Sequence, residues 1–253
     1  MSCLNITQHF DKYFQLIVAN TAELKQEVFS IRYQVYCEEL NFEPAKNFPD
    51  GLEKDIYDDH SIHCLLKHRS KEIYAGCVRV VLPQEQNSIK TFPLEKVFHK
   101  HFSLTQTNRT DFCEISRLAV TSQFRKRQGE TNVPEGILFF PSDRDSMQYE
   151  KRRFPVIALS LYWSSISLAL VHKLDILSIM EPRLARHLKR FGIISNRIGE
   201  LVEHRGKRGL FLIEPTKLIK NLDNDMQNLF EFIHTDIQNQ LPLKLATISN
   251  YFK

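Results

Sequence analysis

Leu24, Val28, Ile31 and Val35 recur at helical spacing behind Asn20-Thr-Ala-Glu23, which has the form of a helix N-cap with a carboxylate three positions on. The pattern predicts an amphipathic helix over about 21–39, with Arg32 and Tyr36 one turn apart on the same side. Residues 41–60 lose that period, carry Pro44 and Pro49-Asp-Gly51, and end in Asp55-Ile-Tyr-Asp58-Asp59, so they read as an acidic loop. Two strands follow, His60–His68 and Ile73–Leu82, joined by the polar turn Arg69-Ser-Lys-Glu72. A short helix is expected at Leu94–Phe98 and a further strand at Asp111–Val120.

Between 128 and 154 periodicity gives way to Gly, Pro, Asp, Arg and Gln, which predicts an insertion or mobile loop. Pro155 opens a strongly apolar helix over about 156–172, Leu174–Met180 reads as a buried strand, and Pro182–Phe191 as a basic helix stopped by Gly192. Strands at about 197–204 and 209–213 are joined by Arg205-Gly-Lys-Arg208, and 216–253 forms a C-terminal extension with at least one helix. This order predicts one α/β domain over 1–253, with a mixed, mostly antiparallel central sheet flanked by helices on both faces.

Composition adds modest constraints. An apolar content of 42% with 25% charged residues is that of an ordinary soluble globular protein. The lack of a long apolar run or a signal-peptide pattern makes a cytoplasmic location, without a transmembrane segment, the expectation. Cys3, Cys37, Cys64, Cys77 and Cys113 are widely spaced with no Cys-x-x-Cys pair, which favours reduced core thiols over disulfides or a zinc site. His60 and His63 read as hydrogen-bonded structural histidines, and His99 and His101 as surface residues, so no metal site is expected. The net charge is only +4, but Lys and Arg concentrate at 125–127 and 151–153, so an acidic partner is implied locally.

The strongest chemical signal is Glu114-Ile-Ser-Arg117-Leu-Ala-Val, two charges within an otherwise apolar strand. Burying a charge costs several kcal/mol unless it is paired or used, so both side chains require a reason. Strict alternation places Glu114 and Arg117 on opposite faces, so both reach one site only through a β-bulge, expected within 114–117. A buried ion pair between Glu114 and Arg79 is the structural alternative.

That heptad resembles the acyl-carrier-binding strand of the Gcn5-related N-acetyltransferase (GNAT) superfamily. The following turn departs from that family's glycine pattern, with Arg125-Lys-Arg-Gln-Gly129 running into 128–154. Val28-Phe-Ser-Ile-Arg32-Tyr-Gln-Val-Tyr36, Glu53-Lys-Asp55-Ile-Tyr-Asp58, Gly76-Cys-Val-Arg79 and Glu114-Ile-Ser-Arg117 resemble, in the same order, motifs of acyl-homoserine-lactone synthases and long-chain N-acyl amino acid synthases. The chain is most similar to the acyltransferases associated with the PEP-CTERM/exosortase system, over about residues 12–215.

The resemblance implies a GNAT-like N-acyltransferase with no bound cofactor. It would move a fatty acyl group from acyl carrier protein, as a phosphopantetheine thioester, or from acyl-CoA onto the amine of an amino acid or similar small acceptor. Glu114 and Arg117 are then the catalytic candidates, Glu114 as the base. Asp55 and Asp58 would bind the acceptor's amino group, Arg32 or Arg79 would pair its carboxylate or organise the acidic loop, and Tyr36 completes the substrate-binding set. On this reading Asp58→Asn depresses acyl transfer and leaves folding intact. Arg125, Lys126, Arg127, Lys151, Arg152 and Arg153, with Arg183, Arg186, Lys189 and Arg190, suit the acidic face and phosphate of acyl carrier protein. Two alternatives remain: an autoinducer synthase of the homoserine-lactone type using S-adenosylmethionine, and a non-catalytic module binding a carrier protein or nucleic acid. The modest net charge and the lack of aromatics among the basic runs argue against nucleic acid.

Overall fold

The computed structural model describes residues 5–84, 92–98, 109–125 and 156–242. The predicted insertion at 128–154 lies outside these residues, as do Lys126, Arg127, Lys151, Arg152, Arg153, His99, His101 and Cys3.

The chain opens with α1 (Ile6–Tyr13), whose first turn is closed by a reciprocal pair of bonds between Asn5 and Gln8, and β1 (Phe14–Val18) follows directly. Next come α2 (Ala22–Tyr33), capped by Thr21, and a π-helical turn over Gln34–Glu39. The helix expected as continuous over 21–39 thus changes pitch after Tyr33, and Leu40 N donates to the Val35 carbonyl at 3.1 Å, five residues back. After the acidic loop, β2 (Ser61–His68) and β3 (Ile73–Val81) form the expected hairpin. Then follow α3 (Leu94–Phe98), β4 (Phe112–Val120), α4 (Ser122–Arg125), α5 (Val156–His172), β5 (Asp175–Met180) and α6 (Pro182–Lys189). The strand expected at 197–204 is instead two short pieces, β6 (Asn196–Arg197) and β7 (Val202–Glu203), with Gly199 between them at φ +106°. A tight turn with Arg205 and Gly206 at positive φ leads to β8 (Lys207–Ile213), and α7 (Pro215–Leu218) and α8 (Asn224–Gln240) are the last elements of the described residues.

The sheet runs β1-β2-β3-β4-β5-β8-β6, with β7 paired to β8. Every pairing is antiparallel except β4 with β5. Alternation sends Cys64, Leu66, Val78, Val80, Leu118 and Val120 to one face, where they pack with α5 and α8 around Trp163 and Phe230. Leu65, Cys77 and Ala119 go to the other, beneath Val28 and Ile31 of α2 and Val35 of the π-helical turn. Helices therefore cover both faces. The C-terminal segment is part of this core. Leu229, Phe230, Ile233 and Ile237 are fully buried, and the Gln240 side chain bonds to Val18 N at 2.8 Å and Leu16 O at 3.1 Å, completing the free edge of β1. No helix among the described residues is long and apolar enough to cross a membrane.

Two irregularities in β4 create the site. In the pairing with β3, Arg79 faces Ser116 and Cys77 faces Ala119, so β4 carries one extra residue, and Arg117 sits there at φ +51°. The bulge lets Arg117 share a face with Glu114 and Ser116 while Leu118 returns to the α5 side. The second irregularity is that β4 pairs with β5 only from Phe112 to Ile115; beyond Ile115 and Ser178 the two strands part.

Candidate active site

Where β4 and β5 separate, a cavity of about 410 Å³ opens. Residues 114–118 of β4 form one wall, Ser178 and Ile179 of β5 the opposite one, and Tyr162 of α5 also lines it. Glu43, Glu53 and Asp55 enter from the acidic loop, His204 and Arg205 from the turn before β8, and Arg208 from the start of β8 itself.

The acidic loop is held by arginines. Glu53 N–H donates to the Phe29 carbonyl at 3.1 Å, anchoring the loop to α2. The Glu53 carboxylate then sits between two guanidinium groups, with Arg32 Nε 2.5 Å from Oε2 and Arg117 Nη2 3.0 Å from Oε1. Burial alone would raise its pKa, but Arg32 and Arg117 hold it below the ordinary glutamate value. Asp58 Oδ1 accepts from Arg32 Nη1 at 2.7 Å and Arg79 Nη1 at 2.8 Å, while Oδ2 accepts from Asp55 N at 2.7 Å. Burial opposes ionisation here as well, yet the two arginines keep Asp58 far below the usual carboxylate range. Arg79 also bonds Asp55 Oδ1 at 2.6 Å and, through Nε, Ser116 Oγ at 3.1 Å. The result is a continuous lattice from α2 through the loop to β3 and β4.

Glu114 stands apart from that lattice. It is 2% exposed, and its Oε2 accepts from Leu94 N at 2.9 Å. The ion pair weighed between Glu114 and Arg79 is not formed, because Arg79 is engaged by Asp55 and Asp58. Burial accordingly pushes the Glu114 carboxyl up to about 8, against the smaller opposing effects of the Leu94 N–H, Arg79 and Arg117. A carboxyl of this kind is mostly neutral at pH 7 and becomes a base of unusual strength as it ionises.

The structure therefore separates the proposed substrate-binding residues. Tyr36 and Asp55 line the cavity with Glu114 and Arg117. Tyr36 donates its hydroxyl to the Leu118 carbonyl at 2.9 Å, and the Arg117 guanidinium lies over its ring at 5.4 Å. Arg32, Asp58 and Arg79 lie outside the lining; they are buried, and the two arginines are bound to Glu53, Asp55 and Asp58, the arrangement expected if they organise the acidic loop. Asp58 is then a counter-ion of two buried arginines, so the expectation that Asp58→Asn leaves folding intact is withdrawn.

Arg125 is corrected likewise. It is buried with Nη2 2.5 Å from Glu39 Oε2, joining α4 to the π-helical turn, and presents no docking charge. Arg183, Arg186 and Lys189 of α6, and Arg190 at its C-cap, are exposed. His63 is fully buried, but among the described residues neither ring nitrogen has a hydrogen-bond partner, contrary to the expectation for it, and Nε2 lies 3.6 Å from Asp58 Oδ1. Burial and the neighbouring arginines depress its pKa to about 3 despite Asp58, so the ring is neutral.

Pattern reading does not single out His204, Arg205 and Arg208: His204 reads as the end of a strand, and Arg205 and Arg208 as a hairpin connection. The available signal was their charge, opposite to that of the acidic loop. Cys37, Cys64, Cys77 and Cys113 are buried free thiols. Among the described residues no cluster of His, Cys, Asp or Glu is arranged to hold a metal ion.

Residues 31–133 match the family described as acetyltransferase (GNAT) domain. TofI, in a ternary complex with an inhibitor and MTA, is similar in structure at TM-score 0.56 and 18% identity, over 84% of this chain and 98% of that one. BjaI, a CoA-dependent acyl-homoserine lactone synthase solved with SAM and isopentyl-CoA, gives TM-score 0.53 and 16% identity over 89% of each chain. FeeM, an N-acyl amino acid synthase from uncultured soil microbes, gives TM-score 0.51 and 10% identity over 83% of this chain and 94% of that one. A sequence search among curated proteins gave no match. Residues 31–133 are thus similar to a GNAT acetyltransferase domain, and the chain shares its fold with acyl-homoserine lactone synthases and an N-acyl amino acid synthase.

Proposed function

We propose that this protein is an N-acyltransferase that moves a fatty acyl group from a thioester, borne by acyl carrier protein or by coenzyme A, to the amine of an amino acid or similar small acceptor. The observation that carries this reading is Glu114, a buried carboxyl with a pKa of about 8 that lines the cavity where β4 parts from β5.

The chemistry needs a neutral amine beside an immobilised thioester. The amine nitrogen attacks the carbonyl carbon, the C–N bond forms, the C–S bond breaks, and the thiol leaves. Glu114 in its ionised form takes the proton that the nitrogen loses, directly or through water, and returns it to the departing sulfur. With a pKa of about 8 it is better matched to an alkylammonium than an ordinary glutamate is. Among the described residues the edge of β4 beyond Ile115 has no strand partner on the β5 side, which leaves backbone groups to align and polarise the thioester. Ile115, Leu118, Tyr162 and Ile179 supply apolar surface for the start of the acyl chain.

The test is to incubate the purified protein with acyl carrier protein or coenzyme A thioesters and a panel of amino acids, amines and S-adenosylmethionine, and to detect N-acyl products by mass spectrometry. An N-acyl amino acid that disappears with Glu114→Gln is the expected result. Release of methylthioadenosine would assign the lactone-forming reaction instead. No product from either donor with any acceptor overturns the reading.

A further inference from the structure

We propose that the start of β8 reads the carboxylate of the acceptor, with Arg208 as the recognising guanidinium, so that the site selects α-amino acids over simple amines. This rests on the acyltransferase reading above and names the substrate class of the same cavity.

The cavity is electrically divided. Glu43, Glu53 and Asp55 line it from the side of the sheet that carries β3 and β4, whereas His204, Arg205 and Arg208 line it from the β8 side. A zwitterion suits such a site, its amino end toward the acids and its carboxylate toward the arginines. A simple amine leaves the basic side unmatched.

The partners of each cavity cation point to Arg208. Arg117 is saturated by Glu53, with Glu43 and Asp55 beyond. Arg205 reaches across to Glu43 at 2.7 Å and lies over the Phe42 ring. Lys96 sits over the Tyr57 ring. Arg208 is less engaged: Nε donates to the His204 carbonyl at 3.1 Å, Nη2 has Glu181 at 3.5 Å, and Nη1 makes no hydrogen bond among the described residues. Its side chain is only 11% exposed. A guanidinium largely removed from water, with incomplete pairing and a fixed Nε, is prepared to take a carboxylate. Arg32 and Arg79 are not available for that role, because both are buried outside the lining and bound to loop carboxylates.

The experiment compares kcat/KM for the amino acid that the wild-type protein acylates best with that for its decarboxylated amine, in wild type, Arg208→Met and Arg208→Lys. Thermal melts confirm that the variants fold. Wild type is expected to favour the amino acid about 30-fold or more, the worth of a charge-assisted bidentate contact. Arg208→Met should abolish most of that ratio through KM for the amino acid, and Arg208→Lys should restore part of it. A wild-type protein that takes amine and amino acid equally, or a ratio unchanged in Arg208→Met, overturns the assignment while leaving the acyltransferase reading intact. A rise confined to KM for the thioester also overturns it, and assigns Arg208 to a donor phosphate. Failure of the wild type to acylate any acceptor overturns the acyltransferase reading itself.

Discussion

The Arg117 guanidinium grips Glu53 along one side, with Nε 3.1 Å and Nη2 3.0 Å from the same Oε1, while the other carboxylate oxygen is taken by Arg32. Glu53 is therefore the joint between the bulged strand and the helix behind the acidic loop, and it is 1% exposed. Replacing it with Gln leaves two guanidinium groups short of a counter-charge. Glu53→Gln is expected to cost about 3–5 kcal/mol in urea denaturation, since removing one member of a buried pair strands the other. A loss under about 1 kcal/mol would mean that the loop is held by other contacts.

Asp58→Asn tests the same lattice from its centre. Both carboxylate oxygens accept hydrogen bonds, Oδ1 from two arginines and Oδ2 from Asp55 N. An amide offers one acceptor and one donor, so whichever way it turns, a donor meets a donor. The variant should be destabilised by roughly as much as Glu53→Gln. Asp58 also contributes acid sensitivity: its folded pKa lies below the unfolded value of 3.8, so its stabilisation is present above that pH and lost as pH falls below it. A wild-type-like melting temperature in Asp58→Asn would contradict this account.

Gly76 explains how β4 is held against β3. A Cβ built on Gly76 would lie 2.4 Å from the Ala119 carbonyl oxygen and 3.2 Å from Val120 Cα, both backbone atoms just past the bulge. Neither can swing aside as a side chain would. Gly76→Ala should force the strands apart at about 1–3 kcal/mol and lower activity through the position of Arg117. Denaturant titration and kcat measured on the same preparation separate the two effects.

Much of this architecture was legible because it is periodic. The β2–β3 hairpin, β4, α5 and β5 each carry enough apolar repeats to declare themselves. α1 and β1 do not: they are short, and what completes the edge of β1 is Gln240, 222 residues further on from Val18. In the site, the motif around Glu114 and Arg117 gave the bulge, since two charges three apart need one to share a face. It could not tell which arginines look into the cavity. Arg32 and Arg79 read as able either to meet a substrate carboxylate or to organise the acidic loop, and only the folded loop, which puts Glu53 and Asp58 on Arg32 and Asp55 and Asp58 on Arg79, distinguishes the two. Arg125 reads as part of a basic run but pairs with Glu39 in the interior. Charge alone does not reveal such folding back.

Glu114 makes a prediction in two observables. Its pKa is raised from 4.5 to about 8 by burial, so the folded protein holds a proton that the unfolded chain releases between those values. The sign follows: the folded state binds more protons across that interval, and this contribution to stability is complete below about pH 4.5 and is lost as pH rises through about 8. Glu114→Gln cannot ionise and keeps an acceptor for Leu94 N, so its stability curve should lack that alkaline-side decline. Activity should run the opposite way, because the ionised form is the base. In wild type kcat/KM should rise through an apparent pKa near 8. In Glu114→Gln it should fall about 10²–10⁴-fold and lose that ionisation. Urea titrations from pH 5 to 9 alongside pH–rate profiles provide both curves, and an ionisation near 8 persisting in the variant would assign the base to another residue.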